Sequence, residues 1–297
     1  MPVRRPGGTR RAAQLVQDVR YEVLPTAGVA GEVLRFVPRE VTVTVTASPK
    51  RGLEPTVALA ECLAAEGYRV VPHLAARSVA SVAELAELAE RLHKAGVEDV
   101  FVPAGDANPP AGPFASALSL LGELARLDHP FSRLGVTGYP ESHPKIDDDV
   151  TIQAMWDKRS YASYLVSNLC FDAGVISAWV RRVRRRGVDL PIYLGVPGIV
   201  DRARLLRVAG SIGVAESSRF LSAHAGWFLR LGSPAAFSPE RLLARLAPDV
   251  SAPESAVLGC HVFTFNQLEQ TESWRRQLLG RFGRDAGSLP VGPAAGG

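Results

Sequence analysis

Cysteine is scarce in this chain and badly spaced for chemistry. Cys62, Cys170 and Cys260 are odd in number, far apart and free of any C-x-x-C pairing, which indicates neither a disulfide framework nor a zinc site and fits a reducing cytoplasm. No apolar run approaches the roughly 20 residues of a membrane span, and the arginine-bearing N-terminus has no apolar signal core. Neither a membrane anchor nor a secretory leader is expected. A G-x-G-x-x-G fingerprint is missing as well, which counts against a Rossmann dinucleotide sheet. The sequence shows no internal repeat at a fixed period. Net charge is small, +4, and the excess gathers in Arg4, Arg5, Arg10 and Arg11 and again in Arg181, Arg182 and Arg184 to Arg186. These clusters lack interleaved aromatics, so a nucleic-acid partner is not expected.

What the chain does contain suits one large globular unit or two ordinary ones: 297 residues, 46% hydrophobic and 22% charged. Residues 1–13 are basic and 285–297 rich in Gly, Ala and Pro, so both ends are expected to be mobile tails around a domain spanning 14–284. Within it, short β-prone runs recur at Val19 to Leu24, Val41 to Thr46, Arg69 to Leu74, Asp99 to Val102, Leu134 to Tyr139, Tyr164 to Phe171, Ile192 to Val196 and Leu258 to Phe263. Helical spacing lies between them: Val82, Leu85, Leu88 and Leu92 before Gly96, then Phe114, Leu118, Leu121 and Leu124, then Ile176, Trp179, Val180 and Val183. Strict alternation of strand and helix argues for parallel pairing, and eight strands are what a (β/α)8 TIM barrel requires. The stretch from Val200 to Val250 is longer than one crossover needs and reads as extra helices before the last strand.

In such a barrel the strand C-termini converge on one mouth, where ligands and chemistry gather. The residues there would be Glu22, Thr46, His73, Asp106, Tyr139 with Glu141 and His143, Asn168, the Pro197-Gly198 turn, and Thr264 with Asn266. Glu22 sits in the otherwise apolar run Val19-Arg-Tyr-Glu-Val-Leu-Pro25, where an inward carboxylate is costly unless it works or is paired. Burial would suit it to act as a general acid near neutrality; the plainer reading pairs it with Arg20 or Arg69 beneath a helix. His73 and His143 can equally be histidines bonded to backbone, and Asp106 an Asx turn. Asp149 is expected to cap a helix beginning near Val150, and the Arg181 to Arg186 cluster to be a solvated helix face.

The segments in order resemble the methylenetetrahydrofolate reductase family. Tyr21-Glu-Val-Leu-Pro25 is similar to its F-E-F-F-P strand, Val71-Pro-His-Leu74 to A-P-H-L, Ala104-Gly-Asp106 to R-G-D, Tyr139-Pro-Glu-Ser-His-Pro144 to Y-P-E-x-H-P, Ser167-Asn-Leu-Cys-Phe-Asp172 to T-Q-x-F-F-D, and Val196-Pro-Gly-Ile199 to P-G-I. The resemblance implies a (β/α)8 barrel that reduces 5,10-methylenetetrahydrofolate to 5-methyltetrahydrofolate. By it, Glu22 would protonate the folate, Asp106 would stabilise positive charge on the pterin, and Asn168, Tyr139 and Phe171 would hold the substrate. Thr46, Gly105, His73, His143 and Lys158 fall near family cofactor positions. Three departures cluster where the flavin would lie: Ala104 replaces an arginine, Thr46-Ala-Ser-Pro49 replaces T-Y-G-A, and Asn168-Leu-Cys-Phe171 is less aromatic than its counterpart. They leave FAD in doubt and point to hydride passing directly from NADH or NADPH. The readings that compete are the same reaction through bound FAD and a non-catalytic folate-binding barrel. Oligomeric state is left open.

Overall fold

A computed structural model describes residues 14–48, 51–141, 148–199, 239–250 and 252–287, with side chains undescribed at 148 and 282–287. Eight strands run in chain order as β1 (Val19–Val23), β2 (Thr42–Val45), β3 (Val70–Pro72), β4 (Asp99–Phe101), β5 (Arg133–Gly138), β6 (Tyr164–Ser167), β7 (Ile192–Pro197) and β8 (Val257–Phe263). The described helices are α1 (Val29–Phe36), α2 (Glu54–Ala65), α3 (Val82–Lys94), α4 (Ala117–Arg126), α5 (Asp148–Lys158), α6 (Ala173–Arg185), α7 (Pro239–Leu246) and α8 (Leu268–Gly287). The paired strands are all parallel, in the order β3-β2-β1-β8-β7-β6-β5-β4. A parallel bridge from His73 to Phe101 joins the two end strands. The sheet closes on itself as a (β/α)8 barrel, each strand returning through a helix. Among the described residues no helix is long and apolar enough to cross a membrane.

Period-two alternation assigns the two sides of each strand. On β1, Tyr21 faces the helices, where its hydroxyl donates to Glu272 Oε2 at 2.8 Å, and Arg20 and Glu22 therefore face the barrel interior. The buried Glu272 carboxylate also accepts from Arg275 and Arg276, both at 2.8 Å, which ties α8 to the outside of β1. The main apolar core lies between barrel and helices, and a second cluster of Val71, Phe101, Tyr164 and Val166, with Tyr193 against it, fills the interior. Gly135 makes room for it, since a Cβ there would come within 2.4 Å of the Tyr164 ring. Beneath lies a charged floor: Arg20 meets Asp99 at 3.1 Å and stacks over the rings of Tyr164 and Tyr193 at 4.3 and 3.9 Å, while Tyr164 donates to Asp99 at 2.7 Å. A barrel this size holds side chains rather than a pore, and the buried cation persists because it is paired and stacked.

Local chemistry sets the helix ends and corrects several expectations. Ser116 caps α4 through a capping box with Ser119, so the helix starts after Phe114 and its buried face is Ala117, Leu120, Leu121 and Leu124, with Leu118 exposed. Val82 of α3 is likewise exposed. Strand β6 stops at Ser167 rather than reaching Phe171, because the Asn168 side chain accepts from Leu169 N at 2.8 Å and turns the chain. Helix α5 already includes Asp148, so Asp149 lies within it and pairs with Arg186 instead of capping. Arg184 is not part of a solvated face: its guanidinium donates to the carbonyls of Ser255 and Val188. Of the stretch expected to hold extra helices, α7 and a 3-10 turn at Pro253–Ser255 are described and 200–238 lies outside the described residues. The N-terminal segment 1–13 is also outside them, and α8 continues to Gly287, past the boundary drawn at 284.

Candidate active site

At the mouth, Glu22 is held by imidazoles, not by arginine. Its Oε2 lies 3.0 Å from His261 Nε2, and His73 Nε2 stands 4.0 Å from the same oxygen. The Glu22 side chain is 15% exposed while the two histidines are buried. The alternative pairings expected for it are taken elsewhere: Arg20 belongs to the floor, and Arg69 donates to the carbonyl of Glu40 at 2.6 Å. The two rings stack 6.5 Å apart, His73 against Phe101 at 4.7 Å and His261 edge-on to Phe263 at 5.0 Å. Burial pushes the His73 imidazole down to about 4, with Glu22 opposing the shift and His261 adding to it. His73 is therefore neutral at ordinary pH. Although two imidazoles and a carboxylate meet here, among the described residues no three His, Cys, Asp or Glu side chains are placed to hold a metal ion.

Glu22 owes its position to the joint between β1 and β8. Thr264 Oγ1 donates to the Glu22 carbonyl at 2.5 Å, and the Asn266 side chain accepts from Leu24 N at 2.8 Å while donating to Leu24 O at 3.0 Å. Phe265 and Asn266 take positive φ values of 50° and 57° to make this turn, a strained conformation that the clasp offsets. Thr264 and Asn266, expected at the mouth as candidate site residues, thus use these groups to fix strand ends.

Several other candidate residues follow the strand ends. Asp106 is exposed after β4 and makes no side-chain hydrogen bond among the described residues, so it is not closing an Asx turn. Gly105 before it has φ +81°, and a Cβ there would stand 2.9 Å from that of Ala75, so only glycine lets this loop lie against the one after β3. Burial, and next the Asp106 carboxylate, raise the Tyr139 phenol above its usual range, so the two lie within electrostatic reach of each other. Asn168 is exposed with its amide nitrogen free of protein partners among the described residues. Phe171 is half-buried next to Cys170, whose thiol donates to Glu141 Oε1 at 3.4 Å. The Thr46 hydroxyl and His73 Nε2 are buried without a hydrogen-bond partner among the described residues. Similar atoms occur on the helices, among them Ser177 Oγ and Trp179 Nε1, so it is their place after the strand ends that makes Thr46 and His73 candidates for a ligand. Lys158, at the end of α5, is buried, and burial lowers its amine to about 8; no contact joins it to the Glu22 group. His143 lies outside the described residues.

The sequence reading missed His261. Its signal was alternation: in Gly259-Cys-His-Val-Phe263, His261 shares the inward side with Phe263 and is paired in register with Arg20, while Phe263 pairs with Glu22. That pairing is a tertiary fact.

The flavin that the resemblance implies can be tested against these residues. At the position of the family arginine, Ala104 offers a methyl group, and its carbonyl accepts from Arg77 N at 2.9 Å. The nearby Arg77 guanidinium is engaged by the loop itself, donating to Ala107 O at 2.7 Å, Ala115 O at 3.2 Å and Asn108 Oδ1 at 3.4 Å. Among the described residues no free cation stands beside Ala104.

Comparison with known proteins agrees with the geometry. A solved oxaloacetate acetylhydrolase, 12% identical, superposes with a TM-score of 0.50 over 98% of this chain and 92% of its own, a likeness of fold alone. "Methylenetetrahydrofolate reductase 2" of Saccharomyces cerevisiae is 26% identical over 140 residues, 43% of this chain and 23% of that protein. "Methylenetetrahydrofolate reductase (NADH) 1" of Arabidopsis thaliana is 27% identical over 141 residues, 41% of this chain and 24% of that protein. The chain thus matches about a quarter of the length of these curated relatives. The family model for methylenetetrahydrofolate reductase matches residues 29–221, a range that holds His73, Gly105, Asp106, Tyr139 and Asn168 and is flanked by Glu22 and His261. With the barrel, the motif order and this match in agreement, the chain belongs to the methylenetetrahydrofolate reductase family.

Proposed function

We propose that this protein reduces 5,10-methylenetetrahydrofolate to 5-methyltetrahydrofolate with hydride taken directly from NADH or NADPH. The observation that carries the reading is Glu22, a carboxyl inside the barrel mouth, held by His261 through one oxygen and open on the other. The reaction needs such an acid. Protonation of folate N10 lets its bond to the bridging methylene break, the N5 lone pair closes an iminium, and hydride from the dihydronicotinamide adds to the methylene carbon. One proton and one hydride are consumed, and the nicotinamide leaves oxidised.

The other residues divide between the two substrates. The exposed Asp106 carboxylate would stabilise the cationic pterin, with Tyr139 within electrostatic reach, and the free amide of Asn168 would bond a pterin edge. Phe171 would pack on the same ring system. Thr46 and His73, with unpartnered polar atoms, and Gly105, in the tight loop, are assigned to the nicotinamide side, as are His143 and Lys158. An iminium accepts hydride without an intermediary if both substrates are held in contact, and orientation alone supplies much of such a rate. The name of the Arabidopsis relative, which specifies NADH, supports a nicotinamide donor. The missing cation beside Ala104 supports direct transfer over a resident flavin.

The test combines a spectrum with one variant. Purified protein should be colourless and should oxidise NADH or NADPH only once methylenetetrahydrofolate is added. A yellow protein bleached by the nicotinamide alone would sink direct transfer while leaving the overall reaction standing. Glu22→Gln should lower kcat by about 10²-fold to 10⁴-fold, the usual contribution of a positioned acid, with folate binding within a few-fold. A Glu22→Gln enzyme at full rate would mean that the acid lies elsewhere.

A further inference from the structure

Both imidazoles at the mouth approach the same oxygen of Glu22, and from this we infer that His261 is a positioning residue that decides which Glu22 oxygen carries the acid proton. The inference rests on the reading of Glu22 as the acid.

His261 is 2% exposed, and its Nδ1 is buried with no hydrogen-bond partner. A proton on Nδ1 would be a buried donor left unmade, which costs more than leaving a lone pair there. The favoured neutral tautomer carries its proton on Nε2 and donates to Glu22 Oε2 at 3.0 Å. An oxygen that accepts this bond serves as carboxylate or as the carbonyl oxygen of the acid, but not as its hydroxyl. When Glu22 is protonated, the proton is therefore on Oε1.

Oε1 makes no hydrogen bond among the described residues and is not among the buried atoms that lack one, so it is the oxygen that opens into the mouth. Among the described residues the titratable groups facing the carboxyl are His261 from β8 and His73 just after β3. His73, neutral and 4.0 Å from Oε2, crowds that oxygen further and leaves Oε1 clear. The charged floor of Arg20, Asp99 and Arg133 is paired within itself. His261 does not touch the substrate in this scheme; it aims the group that does.

Three measurements on the full-length protein test this. Nitrogen-15 shifts of the wild-type imidazoles should show His261 as the neutral Nε2–H tautomer; a proton on Nδ1 would overturn the inference without any substitution. Carbon-13 titration of labelled glutamate, with the Glu22 resonance identified by its loss in Glu22→Gln, should show its midpoint moved upward in His261→Phe, because the donor that favours the charged form is gone. His261→Gln, which keeps an N–H near the same place, should return it most of the way. In turnover, His261→Phe should lose about tenfold to a hundredfold in kcat, a part of the 10²-fold to 10⁴-fold that a positioned acid contributes, with folate KM within threefold, and His261→Gln should recover most of the loss. An unmoved midpoint in His261→Phe, or a glutamine variant no better than phenylalanine, would reduce His261 to packing. If the wild type reduces no methylenetetrahydrofolate, the proposed function fails, while the tautomer and the titration still decide for or against His261.

Discussion

His73 links the mouth of the barrel to the acid stability of the whole fold. Its imidazole is pushed down to about 4 by burial, from 6.5 in an unfolded chain. Between those two values the unfolded chain binds a proton that the folded protein excludes. Folding is thus favoured by the full amount above pH 6.5, and that contribution is lost as the pH falls toward 4. Since the ring is 7% exposed, solvent screening takes little from it. At 1.36 kcal/mol per unit the total is about 3 kcal/mol, of which about 2 kcal/mol falls between pH 7.5 and pH 5. Urea unfolding at those two pH values, in the wild type and in His73→Gln, isolates the effect, because every other titrating group is common to both. The wild type should lose about 2 kcal/mol more than the variant over this interval. If the two lose the same amount within about 0.5 kcal/mol, the usual uncertainty of such extrapolations, the buried neutral imidazole is not the reason for any acid sensitivity.

Other regions make their own predictions. Glu272→Ala should cost about 3–5 kcal/mol in urea unfolding, because it leaves the buried Arg275 with only Glu40 at 3.5 Å and removes the acceptor of the Tyr21 hydroxyl. Gly105→Ala combines a left-handed backbone at φ +81° with a Cβ contact of 2.9 Å to Ala75, and should cost about 1–3 kcal/mol together with a reduced NADH affinity by titration calorimetry. Asp172 accepts from the backbone of Gly174 and Val175 at the start of α6, so Asp172→Ala should lower stability by about 1 kcal/mol in the same unfolding assay. Toward a thiol reagent at pH 8 only the exposed Cys62 should react in the native protein; burial pushes Cys170 and Cys260 up to about 12, and rapid modification of all three would contradict that burial.

The sequence by itself determined the barrel. Eight runs of β-branched and apolar residues, separated by helical spacing, leave little freedom, because parallel strands need crossovers and crossovers here are helices. It also determined that Glu22 needed an explanation, since a carboxylate amid Val19, Tyr21 and Val23 is expensive wherever it points. What it could not determine was the partner. Glu22 and His261 are separated by almost the whole chain, and only closure of β8 against β1 brings Nε2 to within 3.0 Å of Oε2. The same closure decides that Arg20, two residues before Glu22 and on the same side of β1, is spent on Asp99 in the floor. Local signals misled where a cap outranked periodicity: Ser116 starts α4 after Phe114, and the Asn168 turn cuts β6 short. Hydrophobic pattern fixes which face of an element is buried, and this is written in neighbouring residues. Which polar groups meet inside the barrel depends on strand register, a property of the closed sheet that no single strand carries.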